Sequence, residues 1–194
     1  MPSVREALLQ AARDAAVAGA WSTTRMADVA AAAGVSRQTL YNEFGTKDAL
    51  AEALTHREAE HFLAGTSAAS RRTPGDAGDC TRAATLWALH EARQNLLVKA
   101  ALTDEAAGLL PTLTTRSAGL VALFRDNAAA VLRERWPDLD PGEVAWVAEM
   151  AVRITVSHLV VPTEAAEVTA DHIAVLVRRL LGTSAVPAPD APRP

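Results

Sequence analysis

Five of the six residues Arg37, Gln38, Thr39, Leu40, Tyr41 and Asn42 carry a guanidinium, an amide, a hydroxyl or a phenol. At helical spacing such groups break no covalent bond; they offer an array of donors and acceptors to another surface. The base-pair edges of a major groove, which admits one helix, present a matching array. Hydroxyls also stand just ahead of three candidate helix starts, at Thr24, Ser36 and Thr46. The free N–H groups and positive dipole end of a helix start hold phosphate. These residues, with Tyr41 and Lys47, therefore form a candidate backbone clamp. Bulk charge gives no help, because residues 1–57 hold six Lys/Arg against six Asp/Glu. Attraction for phosphate must come from placement.

Presenting that array takes two short helices joined at a fixed angle. Thr23 or Thr24 can cap one through Met26, Val29, Ala30 and Ala33, stopped by Gly34. Ser36 can cap the next, from Arg37 to about Phe44, pinned by Leu40 and Phe44 and ended by Gly45. Val4, Leu8, Ala11, Ala12, Ala15 and Ala16 make the stripe of a preceding helix, closed by Gly19. Thr46 caps a fourth, from Lys47 to about Ala64. Residues 65–80 cluster Ser, Arg, Thr, Pro and Gly without apolar period and read as a loop. Helices are expected over 81–102, 104–110 and 112–135, followed by a turn at 136–139. Asp140, Pro141 and Glu143 form a strong start for a helix to about Val161. A last helix covers 164–181.

With 49% apolar residues, 43 of all residues Ala, and aromatics at only 4%, the composition favours helix over sheet. The expected fold is all-α: a three-helix head with a helix-turn-helix over 1–46, a helical body over 47–182, and a disordered tail over 183–194. Helices 141–161 and 164–181 are too apolar for one covered face, which points to a second copy of the chain.

Ala11-Ala12, Gly19, Thr23-Thr24, Val29-Ala30, Ala33-Gly34-Val35-Ser36, Thr39-Leu40-Tyr41, Phe44, Lys47 and Leu50 form a specific combination. Through them residues 5–54 resemble the tetracycline-repressor (TetR) family of bacterial transcription regulators. The body is similar to that family in helix number, length and order. The resemblance implies that Arg37, Gln38 and Thr39 approach base edges, and that Thr24, Ser36, Tyr41 and Lys47 hold phosphates. It also implies a small-molecule pocket after residue 50 and a four-helix dimer interface from the last two helices. The expected protein is a ligand-responsive repressor, a homodimer on a palindromic operator of double-stranded DNA, released by a small hydrophobic effector. Glu43 departs from the family, which has a neutral or basic residue there. Either it accepts from a cytosine amino group, or it turns to Arg25 or Lys47; the local ion pair is the favoured reading.

Candidates for the pocket are Trp87, His90, Gln94, Phe124, Trp146, Met150, Arg153 and His158, which combine apolar surface with a few polar groups. The aromatic residues and Met150 serve equally as plain core or interface. His90 and His158 fit a structural, hydrogen-bonded role better than a ligand contact. Arg153 either pairs across the dimer or faces an anion. Cys80 is the only cysteine and excludes an intrachain disulfide; in a loop it is inert unless an electropositive setting activates it. No nucleophile elbow, phosphate loop or clustered metal-ligand spacing is present, and His56 and His61 are five apart. No enzyme activity, catalytic residue, cofactor or metal is expected. The absence of a signal sequence or an apolar span leads to a cytoplasmic expectation. A dimeric helical adaptor, and a ligand-independent or activating regulator of the same fold, are the alternatives.

Overall fold

The computed structural model describes residues 3–98 and 118–182. The expected helix 104–110, the ends of its two neighbours and the tail lie outside these residues. Among the described residues no strand occurs, and the helices are α1 (Val4–Val17), α2 (Met26–Ala32), α3 (Arg37–Phe44), α4 (Lys47–Arg72), α5 (Ala77–Gln94), α6 (Ala118–Arg135), α7 (Pro141–Val160) and α8 (Ala166–Leu181), with residues 96–98 helical as well. They fall into two compact units. One holds the described residues of Met1–Phe62 and Glu91–Leu120, the other those of Leu63–His90 and Val121–Pro194.

In the first unit, local signals set the helix ends. The Ser3 hydroxyl accepts from the Glu6 N–H at 3.1 Å and starts α1. The Ser36 hydroxyl does the same for Thr39 at the start of α3, and Thr46 for Ala49 at the start of α4. The start of α2 differs from expectation. Arg25 occupies the cap position and its N–H donates to the Asp28 carboxylate at 2.9 Å. Thr23 and Thr24 turn their hydroxyls back to the Ala20 carbonyl instead. Between α2 and α3 the chain reverses at Gly34, whose φ of 70° is a left-handed value that a side chain would resist. The core joins Leu8 and Ala12 of α1, Val29 and Ala30 of α2, Leu40 and Phe44 of α3, and Leu50 and Leu54 of α4. It also takes in Leu97.

Leu97 reaches that core because α5 stops at Gln94, short of the expected Leu102. Asn95 is buried, and its side-chain oxygen accepts from the N–H groups of Leu97 and Val98 at 3.0 and 3.2 Å. Its amide also donates to Glu58 at 2.8 Å. An asparagine whose side chain makes these three hydrogen bonds breaks one helix and caps the next turn.

In the second unit, α4 continues to Arg72 and α5 begins at Ala77, so most of the expected loop is helix. Composition misleads here because tertiary packing uses the small polar residues. A methyl group on Gly65 would stand 2.0 Å from the ring of Trp87, so the glycine is what lets the indole lie against α4. Ser67, buried, exchanges hydrogen bonds with Asn127 of α6. The short connection is clamped by Arg135, which donates to the Thr73 and Gly75 carbonyls. Cys80 therefore lies inside α5, 1% exposed, beside Arg135. Burial pushes its thiol up and outweighs the nearby cation, which leaves little thiolate for redox chemistry.

A reciprocal cap opens α5: the Asp79 N–H donates to the Asp76 carboxylate, and the Asp76 N–H to that of Asp79. Arg178 of α8 binds both carboxylates, reaching Asp76 at 2.8 Å. Burial works against the charge on Asp76, yet Arg178 and the N–H groups of Asp79 and Gly78 hold its carboxyl below the ordinary range. A carboxyl depressed on folding stabilises above its unfolded value, near 4, and loses that contribution as pH falls through the folded value. Asp76→Asn is expected to cost about 1–3 kcal/mol at pH 7. Thermal melts should show the gap between the two proteins narrowing below about pH 4.

Candidate nucleic-acid interface

The outward face of α3 carries the residues that the sequence singles out. Leu40 and Phe44 are buried against the first unit's core, while Arg37, Gln38, Tyr41 and Asn42 are exposed and Thr39 is half-buried. The Gln38 amide donates to the Asn42 side chain at 2.8 Å, one turn on, which aligns the two amides. The hydroxyls of Ser36 and Thr39 are also hydrogen-bonded, at 2.8 Å. Tyr41 is 49% exposed, unusual for an aromatic ring unless another surface covers it.

The head's balanced charge separates into used and unused groups. Arg5 pairs with Glu43, Arg13 with Glu58, and Arg57 with Glu6. Lys47, half-buried, donates to the carbonyls of Trp21, Ser22 and Thr24 at 2.5, 3.3 and 2.7 Å, with its ammonium 5.0 Å from the Trp21 ring. All three of its N–H donors are engaged in holding the 21–24 loop. Arg25 and Arg37 are exposed and enter no ion pair among the described residues. One stands at the start of α2 and the other at the start of α3, so the two unpaired cations coincide with two positive dipole ends. Arg25 is not among the residues that the sequence singles out for this face, although it stands directly after Thr24.

Glu43 corrects an expectation. It turns neither to Arg25 nor to Lys47 but to Arg5 of α1, at 2.9 Å, because Lys47 is already held by the three carbonyls. Elsewhere in the unit, Glu6, Asp14 and Asp28 rim a hollow of about 700 Å³ along α1 and α2. Three carboxylates there make that side a poor partner for phosphate.

In the second unit Trp87 and His90 share a groove of about 450 Å³ with Thr73, Pro74, Asp79, Arg82, Ala83 and Leu86. His90 also meets Glu167 at 3.1 Å. Gln94 is exposed at the end of α5, in the first unit. Phe124 and Met150 are half-buried in the second unit, and Trp146 is 54% exposed. Arg153 is exposed and pairs along α7 with Glu149, four residues back, at 2.8 Å. His158 shares a hydrogen bond with the Ile154 carbonyl through Nδ1. Among the described residues no group of three metal-ligating side chains is placed to hold an ion, and no helix is long and apolar enough to cross a membrane.

Comparison with known proteins agrees with this geometry. Residues 8–54 match the family described as "Bacterial regulatory proteins, tetR family", and residues 76–179 match "Bacterial Tetracyclin repressor, C-terminal domain". The chain is similar to the HTH-type transcriptional regulator AlkX of Mycobacterium tuberculosis, 29% identical over 175 residues, 90% of this chain and 83% of that one. Among solved structures it is similar to the TetR family repressor AlkX from Dietzia sp. strain DQ12-45-1b. That pair has a TM-score of 0.71 at 27% identity, over 93% of this chain and 96% of the other. The fold is also shared with the R. erythropolis repressor QsdR, with a TM-score of 0.63 at 20% identity over 93% and 95%. With its helix-turn-helix head and its helical body both matched, the chain belongs to the TetR family and is a DNA-binding transcription regulator, not an enzyme.

Proposed function

We propose that the protein is a ligand-responsive repressor that binds a palindromic operator as a homodimer and leaves it when a small apolar effector binds. The observation that carries the DNA half is α3, with Arg37, Gln38, Tyr41 and Asn42 exposed and an unpaired arginine at its start. Arg37, Gln38, Thr39 and Asn42 read base edges in this account. Thr24, Ser36 and Tyr41 hold phosphates together with Arg25, and Lys47 acts by fixing the 21–24 loop. Residues 1–46 are the DNA-binding part, and residues 47–182 sense and dimerise.

Dimerisation is supported by α7 and α8, which remain apolar on their outer sides after the core is formed. Val144, Val147 and Ala151 of α7 are buried, as are Ile173 and Val177 of α8. Trp146 and Val160 on α7, and Val168 and Val175 seven residues apart on α8, are exposed. Large apolar side chains in such rows mark a surface that another copy covers. The two heads of a dimer would meet successive major grooves about 34 Å apart, or a small multiple of that.

For the effector, the groove holding Trp87 and His90 supplies an apolar floor with a few polar groups. The Dietzia repressor, to which this chain is similar, is implicated in biodegradation of n-alkanes. We therefore place the effector among aliphatic, hydrocarbon-derived molecules. DNA and effector would compete through the continuous helix α4, each lowering the other's affinity by the same factor. Val175→Glu tests the dimer: sedimentation should show a monomer. Its affinity should fall far more for a two-half-site duplex than for a single half-site. A Val175→Glu protein that remains dimeric would remove the α7–α8 interface from this account.

A further inference from the structure

We infer that Arg5 is a further DNA-contacting residue, a phosphate ligand on one wall of the major groove, held in place by Glu43 and the ring of Phe44. The inference rests on the reading of α3 as the helix that enters the groove.

An α-helix with its side chains is about 10–12 Å across, and the major groove about 12 Å wide, so the flanks of a reading helix face the two phosphate walls. Successive residues turn by about 100°. With Leu40 and Phe44 buried, Gln38 and Asn42 stand at the centre of the outward face, Tyr41 on one flank and Glu43 on the other. Glu43 thus puts a carboxylate on a flank that must approach phosphate, where like charges repel.

Arg5 changes the sign of that flank. Its Nη1 donates to Glu43 at 2.9 Å, and its guanidinium lies 4.7 Å from the centre of the Phe44 ring. Both side chains keep substantial exposure, 50% for Arg5 and 36% for Glu43. A guanidinium has five N–H donors, and the ion pair uses one of them. The remainder can bind a phosphate oxygen bidentately while the carboxylate and the ring fix the plane. A lysine would supply the charge without the planar fork. Glu43 is a positioning residue in this arrangement, which accounts for a carboxylate on the reading helix without assigning it a base.

The test is binding of a random-sequence 20-base-pair duplex, followed by fluorescence anisotropy over a salt series. Each phosphate contact contributes about 0.9 to the slope of log affinity against log salt. Arg5→Gln should bind more weakly at low salt and reduce that slope by about 0.9. Arg5→Lys should keep the slope. Glu43→Gln should keep the slope and raise affinity several-fold. In wild-type protein, phenylglyoxal labelling of Arg5, read by mass spectrometry, should be suppressed by the duplex; this covers the case of an Arg5→Gln chain that does not fold. An unchanged slope in folded Arg5→Gln, or equal labelling with and without DNA, overturns the inference. Wild-type protein without salt-dependent binding would instead overturn the reading of α3 and the inference with it.

Discussion

Arg37→Ala is expected to lower affinity for the operator by roughly 10- to 100-fold while leaving weak binding to random duplex nearly intact. Arginine reads guanine through two parallel hydrogen bonds, a pairing worth about 1–3 kcal/mol against a wrong base. Every ~1.4 kcal/mol is tenfold in affinity. Arg37 is exposed, forms no ion pair among the described residues, and contributes nothing to the core around Leu40 and Phe44. Its removal should therefore leave the melting temperature within a degree or two. Competition binding against sequences changed one base pair at a time gives the decisive pattern: discrimination lost at one position of each half-site and kept elsewhere. A variant that binds its operator with wild-type affinity and selectivity would mean that another element reads the DNA.

Leu97→Ala should act the opposite way, on stability first. Leu97 is 6% exposed and packs in the core with residues of α1, α3 and α4. Truncating a buried leucine costs about 2–4 kcal/mol, or roughly 5–15 °C in a domain of this size. Its neighbours give the residue a second role. Asn95 caps the turn that contains Leu97 and donates to Glu58 of α4, and Glu58 also takes Arg13 of α1. The segment after α5 is therefore tied to the same unit as the reading helix by one apolar plug and one polar chain. We propose that effector binding acts through this segment as well as through α4, so that α1 feels it too. In folded Leu97→Ala, DNA binding should persist and its response to effector should shrink. Undiminished coupling in that variant would assign transmission to α4 alone.

The head was legible in the sequence because its signals are local. Ser36 and Thr46 cap helices within three residues of themselves, and Gly34 marks a turn that its own backbone angle requires. The outward face of α3 follows from where Leu40 and Phe44 fall. What escaped the sequence depends on partners distant along the chain. Residues 65–80 read as a loop because Gly65, Ser67 and Gly78 are poor helix formers. Trp87, Asn127 and Arg178 give those three positions their purpose. Lys47 looked like a phosphate ligand until the three carbonyls of residues 21–24 took its donors. Glu43 found its partner 38 residues away, in Arg5, where no spacing rule points. Arg153 shows the converse. Its pairing with Glu149 follows from a four-residue step that the sequence already displays.

The central claim is that α3 reads double-stranded DNA. The most direct test is a gel shift of the purified protein with the DNA upstream of its own coding sequence, at two salt concentrations and against random duplex. A discrete complex at a palindrome, weakened steeply by salt and abolished at moderate salt by Arg37→Ala, is the predicted result. Absence of any complex at low salt, with this DNA and with random duplex alike, would contradict the account.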